Sequence, residues 1–144
     1  MLYFLIPILV FIDLFTKYLA ENYLVNKINI FGKYLFLKLY YNTGIAFSIP
    51  ITGILLKIIT IFIISIIVYY FLTNEIKNNN KFLNLGFCFI IGGAVGNGYE
   101  RIFNHKVIDF IGIKYFSIFN FADIFLTIGV LIYIYYLIFK NESK

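Results

Sequence analysis

Whatever chemistry this chain performs rests on a few aspartates, asparagines and isolated cations. Asp13 and Lys17 stand four residues apart; Asn42, Asn97, Arg101, Asp109, Asn120 and Asp123 follow. Carboxylates can move protons or hold cations, amides can orient them, and an arginine fork that stays charged suits a carbonyl or phosphate oxygen. Other chemistries are poorly served. His105 is solitary and no His-Glu-x-x-His accompanies it, which speaks against a zinc peptidase. The single cysteine, Cys88, permits neither an intramolecular disulfide nor a Cys-based zinc site. There is no Gly-x-Ser-x-Gly elbow, no Asp-Thr-Gly and no Gly-x-Gly-Asp, and neither Ser48 nor Ser65 stands at a telling distance from Lys57.

The rest of the chain dictates where those residues must work. Its 144 residues are 62% apolar, 22% aromatic and only 13% charged, well above the roughly 45–50% apolar content of a soluble domain. The net charge of +5 is scattered rather than gathered in a stripe, so nucleic acid is not a partner. The composition is that of an integral membrane protein of one domain. Since a crossing helix needs about 20 mostly apolar residues, the spans are read as Leu2–Ala20, Ile49–Leu72, Phe82–Gly98 and Ile118–Phe139. The first reads as a retained span rather than a cleaved leader, because Asp13 and Lys17 stand where a small-residue cleavage site belongs. Within the long segment before the second span, Ile28–Phe31 and Tyr34–Tyr41 flank Gly32-Lys33 and predict a hairpin, in a β-rich region of residues 28–48. Asn78-Asn79-Asn80 suits a solvated turn. Charge leaves the orientation open. Lys77, Lys81, Lys140 and Lys144 lie toward one side, and Lys27, Lys33, Lys38, Arg101, Lys106 and Lys114 toward the other.

With four antiparallel spans, the polar residues fall toward one membrane face, and ionisable residues at membrane depth are costly enough to mark a functional site. Each also has a plainer reading. Asp13 and Lys17 make an i, i+4 ion pair with the acid first. Asn120 and Asp123 have the spacing of a capping box, Asn42-Thr43-Gly44 that of a turn, and Gly92, Gly93 and Gly96 form a face for close helix packing. Asn97 and Arg101 reach the headgroups. Lys57 breaks the pattern, about eight residues into its span, and either faces the interior or snorkels.

Taken together, Asp13-Leu14-Phe15-Thr16-Lys17, Asn42-Thr43-Gly44-Ile45-Ala46-Phe47-Ser48, Gly92-Gly93-Ala94-Val95-Gly96-Asn97, Val107-Ile108-Asp109-Phe110 and Phe119-Asn120-Phe121-Ala122-Asp123 resemble, in order and in span position, the lipoprotein signal peptidases (signal peptidase II). The resemblance implies an all-α membrane protein, a four-transmembrane-helix bundle with a small extracytoplasmic β-cradle. It implies a bacterial inner-membrane location, both termini cytoplasmic, and the site near the outer face. It makes Asp109 and Asp123 the catalytic carboxylates of an aspartic endopeptidase, with Asn42, Gly44, Asn97, Arg101 and Asn120 lining the site, Asp13 and Lys17 supporting it, and Glu100 and Ala122 among the binding or supporting residues. The implied substrate is a prolipoprotein whose cysteine carries diacylglycerol, cleaved just before that cysteine. Membrane lipid and globomycin-type inhibitors are the other implied partners of a monomer that uses no cofactor and no metal. Two positions depart from the family pattern. Glu100 stands where an aspartate usually precedes the arginine, keeping a pairing role on a longer stem, and the bulky Ile45 replaces a small residue after Gly44. A channel or transporter subunit using the same charges is the alternative, but a conduction path calls for polar groups across the membrane or at its midplane.

Overall fold

Helix α1 (Leu5–Tyr23) turns the arrangement of a soluble helix inside out. Its buried residues are Leu9, Asp13, Lys17 and Ala20, one face at helical spacing, while Ile8, Phe11, Phe15 and Tyr18 point outward. A helix in water hides its apolar stripe; this one hides Asp13 and Lys17 and offers hydrocarbon to its surroundings. The computed structural model describes residues 2–44, 53–75 and 80–140. Ile45, Ser48, Lys77, Asn78, Asn79 and Lys144, singled out in the sequence, lie outside the described residues.

Three further helices complete the bundle: α2 (Gly53–Tyr70), α3 (Lys81–Phe103) and α4 (Phe121–Lys140). These three are long and apolar enough to cross a membrane among the described residues. Helix α1 is as long, but carries Asp13, Lys17 and Glu21. Helix α3 is the central one: 67% of its apolar window is buried inside the protein, against 17% for α2 and for α4. Its start is fixed by Asn80, whose side chain accepts from the amides of Phe82 and Leu83 at 3.0 and 3.1 Å.

Glycines let α3 approach its neighbours. A Cβ on Gly129 of α4 would lie 2.6 Å from the Gly86 carbonyl oxygen, and one on Gly93 would lie 2.4 Å from that of Ala122. Neither obstacle is a flexible side-chain tip, so the helix axes would have to separate. Gly93→Ala is expected to lower stability by about 1–3 kcal/mol, the usual cost of overpacking, read as a lower unfolding midpoint of the purified protein in detergent. An unchanged midpoint would show that the α3–α4 seam can yield.

The strands form one antiparallel sheet in the order β1-β2-β3-β4, from β1 (Ile28–Phe31), β2 (Leu35–Asn42), β3 (Val107–Ile113) and β4 (Ile118–Phe119). The predicted hairpin is present, with Gly32 at φ +53 in its turn and β2 ending at Asn42. Strand β3 lies between the predicted third and fourth spans, a stretch to which the sequence reading assigns no strand. Val107, Ile108, Ile111 and Ile113 are β-branched and pair with β2, Asn42 opposite Val107 and Leu35 opposite Ile113. One face of the sheet packs on the end of α1 through Ala20, Leu24, Ile108 and Phe110. Helix α3 also runs on to Phe103, five residues past the predicted end, and the start predicted for the last span is strand β4, with α4 beginning at Phe121.

Candidate active site

Asp109 is delivered by β3, where it lies opposite Tyr40 of β2 and is 3% exposed. Both its oxygens are held. The amide of Asn42, the last residue of β2, donates to Oδ2 at 3.2 Å, and the amide of Asn120 donates to Oδ1 at 2.7 Å. Asn42 is itself oriented by the turn that follows, since its Oδ1 accepts from the Gly44 amide at 3.1 Å. The turn predicted at Asn42 is therefore present, and the same side chain touches Asp109.

Asp123 sits in the first turn of α4, and the capping box predicted there is formed in both directions. The Asp123 amide donates to Asn120 Oδ1 at 3.0 Å and the Asn120 amide donates to Asp123 Oδ2 at 3.2 Å. That leaves Oδ1 for Asn97 of α3, which donates to it at 2.8 Å. Asn120, wholly buried, thus touches both carboxylates: its Nδ2 faces Asp109, and its backbone amide and Oδ1 engage Asp123. The hairpin turn between β3 and β4 brings the two aspartates together, closed where the Ile113 amide donates to the Ser117 carbonyl at 2.9 Å. Burial, and next the negative charge of Asp123, push Asp109 up from 3.8 to about 6, against the amides of Asn42 and Asn120, which favour its ionised form.

Arg101 lies one turn beyond Asn97 on α3, close enough to Asp123, Asp109 and Glu100 to feel their charges. Its Nε is buried and meets no acceptor among the described residues. Behind the pair lies a buried ion cluster. Lys17 is 1% exposed and donates to Asp13 Oδ2 at 2.8 Å, to Asn97 Oδ1 at 2.8 Å and to Glu100 Oε2 at 2.9 Å. The pairing read from Asp13 and Lys17 is present, as is a pairing role for Glu100. Asp13 Oδ1 accepts from the amide of the buried Ala122 at 2.8 Å. Gly96 is more than a packing glycine, because a Cβ there would lie 2.5 Å from the Asp13 carboxylate.

Lys57 faces the bundle, one of the two readings the sequence allows: it is half-buried, and its ammonium donates to the Ile102 carbonyl in the last turn of α3. With α2 described from Gly53, it lies in the first turns of that helix. It satisfies a helix end, a favourable place for a cation. Sequence reasoning missed Ile108, which acts through its backbone: its amide donates to Glu100 Oε2 at 3.1 Å and its carbonyl accepts from Asn120 at 3.3 Å. No side-chain signal could have disclosed it. Among the described residues, no three His, Cys, Asp or Glu side chains gather as metal ligands.

The chain as a whole is similar to known proteins. The sequence model of the family described as "Signal peptidase (SPase) II" matches residues 5–139. The chain is 39% identical to the lipoprotein signal peptidase of Caldicellulosiruptor bescii, over 100% of this chain and 95% of that protein. It is 33% identical to that of Listeria monocytogenes serotype 4a, over 100% and 97%. Among solved structures, a bacterial membrane enzyme determined at 2.3 Å superposes with a TM-score of 0.85 at 29% identity, covering 98% of this chain and 89% of that one. The chain is a multi-pass membrane peptidase. It belongs to the signal peptidase II family.

Proposed function

We propose that this chain removes signal peptides from lipoproteins, with Asp109 and Asp123 as an aspartic pair that activates one water. The observation that carries the reading is Asn120, a single buried residue hydrogen-bonded to both carboxylates. Two carboxylates that share one buried asparagine and feel each other's charge do not both ionise freely, so they share a proton and supply one base and one acid. The ionised member takes a proton from water as its oxygen attacks the scissile carbonyl. The protonated member gives its proton to the departing amide nitrogen, and the peptide bond breaks. Asn42, Asn97 and Asn120 hold the carboxylate oxygens in place, Gly44 orients Asn42, and the half-buried Arg101 beside the pair supplies a positive charge for a substrate carbonyl. Asp13, Lys17, Glu100 and Ala122 support the pair from behind.

The substrate is a prolipoprotein already carrying diacylglycerol on its cysteine, cut just before that residue. Two acyl chains anchor it in the bilayer and turn the encounter into a positioned one at the interface. Helix α1 serves as the fourth span, because Asp13 and Lys17 neutralise each other inside the bundle while its outer face is apolar. The enzyme is a monomer of the bacterial inner membrane with both termini cytoplasmic and the site near the outer face, in contact with membrane lipid. It takes globomycin-type inhibitors and requires no cofactor. A transporter reading is disfavoured by α3 itself. Between Asn84 and Asn97 it buries only Gly86, Phe87, Cys88, Ile91, Gly92, Gly93 and Gly96, and no polar path runs through them.

The test is reconstitution of the purified chain with a diacylated prolipoprotein, following release of the signal peptide on gels. A folded chain that leaves the substrate intact overturns the reading. The acidity of the pair sets a pH dependence. Asp109 holds its proton up to about pH 6 and loses it above, so kcat/KM is expected to fall on the alkaline side with a midpoint near pH 6, because it reports the free enzyme. A profile flat from about pH 5 to 8 would contradict a shared proton.

A further inference from the structure

The buried cluster behind the pair has a symmetry that its ion pairs alone do not explain. Lys17 holds two carboxylates, Asp13 and Glu100, and each grips the backbone amide of a residue immediately preceding a member of the pair. Asp13 Oδ1 accepts from the amide of Ala122, next to Asp123, at 2.8 Å, and Glu100 Oε2 accepts from the amide of Ile108, next to Asp109, at 3.1 Å. The third donor of Lys17 goes to Asn97 Oδ1, which turns the Nδ2 of that amide onto Asp123. One ammonium therefore ties together α1, α3, the strand that carries Asp109 and the helix start that carries Asp123.

We infer that Lys17, Asp13 and Glu100 form a two-armed clamp that sets the spacing of Asp109 and Asp123, and that Glu100 is a positioning residue whose reach is part of this chain's design. This rests on the aspartic reading above. The physical argument is one of backbone control. A side-chain contact to an aspartate can be replaced by rotation, whereas a bond to the preceding amide fixes where the strand or helix start sits. Strand β3 needs such an arm. Its register with β2 breaks between Leu37 and Tyr40, immediately beside Asp109, which lies opposite Tyr40, and the bond from the Ile108 amide to Glu100 pins the strand next to that irregularity. Glu100 can serve both partners because the same oxygen, Oε2, accepts from Lys17 at 2.9 Å and from Ile108 at 3.1 Å. The site where these arms converge is dry, with Asp13 0%, Lys17 1% and Glu100 3% exposed, so no water replaces a lost bond.

Three substitutions at Glu100 separate the clamp from mere packing. Glu100→Gln keeps an oxygen at the same reach and removes the charge. Glu100→Leu keeps the bulk and removes the oxygen. Glu100→Asp keeps the charge but is one methylene shorter, so it cannot reach Lys17 and the Ile108 amide together. Glu100→Leu is expected to lose about 100-fold in kcat, the scale of an ångström-sized misplacement, with KM within about twofold, and Gln to restore most of it. Hydrogen–deuterium exchange reads the same clamp without catalysis: the peptide covering Val107–Ile111 should exchange faster in Leu and Asp, and at the wild-type rate in Gln. If the Leu variant does not fold, Asp decides, with kcat about 10-fold lower and the same rise in exchange. Wild-type kcat and exchange in Leu or Asp overturn the inference, and so does a Gln variant as impaired as Leu, which would assign the role to charge. Should Asp109→Asn and Asp123→Asn still cleave, the aspartic reading fails on its own, while the exchange measurement still judges the clamp.

Discussion

Asp109→Asn is expected to cut cleavage of a diacylated prolipoprotein by about 10³–10⁴-fold, and Asp123→Asn by as much, because each substitution leaves one carboxyl to do the work of an acid and a base. The loss should appear in kcat with the protein still folded, since neither residue is a packing element of the core. Asp109→Asn also carries a stability signature. In the folded protein Asp109 binds its proton up to about pH 6, against 3.8 for an ordinary aspartate. The folded state therefore holds more protons than the unfolded state between those values, and wild-type stability falls as pH rises through that window. The asparagine variant has nothing to ionise. Its stability relative to wild type should grow by about 2–3 kcal/mol from pH 4 to pH 7, measured as the difference in unfolding midpoints at the two ends. Equal pH slopes for the two proteins would remove the basis for a perturbed Asp109, and wild-type cleavage by either variant would remove the catalytic assignment.

Lys17→Met is expected to produce the largest loss of stability. Methionine has nearly the length of the lysine stem, so the packing survives and the cation is what disappears. Asp13 and Glu100, 0% and 3% exposed, would then face one another across a dry site with no positive charge between them. Removing one partner from a buried ion pair costs about 3–5 kcal/mol, because the other is left uncompensated, and here two carboxylates are left. Asn97 loses a donor on Oδ1 as well, so its grip on Asp123 loosens and residual activity should be lost with the fold. The measurement is the unfolding midpoint of the purified variant beside that of wild type. A midpoint within a degree or two would mean that Lys17 is dispensable, and the cluster could not then organise the site.

The parts of this protein that were legible in the sequence are those governed by nearby residues. Hydrophobic composition and run length marked the apolar helices, since burying a backbone in lipid demands long apolar segments. The spacing of Asp13 and Lys17 disclosed an ion pair, and that of Asn120 and Asp123 disclosed a capping box that the structure forms in both directions. Gly32 between two β-branched and aromatic runs disclosed the β1–β2 hairpin.

What the amino-acid order determined on its own was the membrane class, the local pairings and the layer of polar residues. Only the tertiary structure decided which of those residues share a partner. Strand β3 exists because a distant β2 offers it hydrogen bonds, and its own apolar run could equally have been a connection. Asn120 meets Asp109 across a hairpin, Glu100 meets Lys17 across two helices, and both Glu100 and Asp13 bind backbone amides that carry no side-chain code. Spacing along a chain reports contacts within one turn or one strand pair. A buried ammonium with acceptors on two helices is chosen by geometry and by the cost of leaving any of them unpaired away from water.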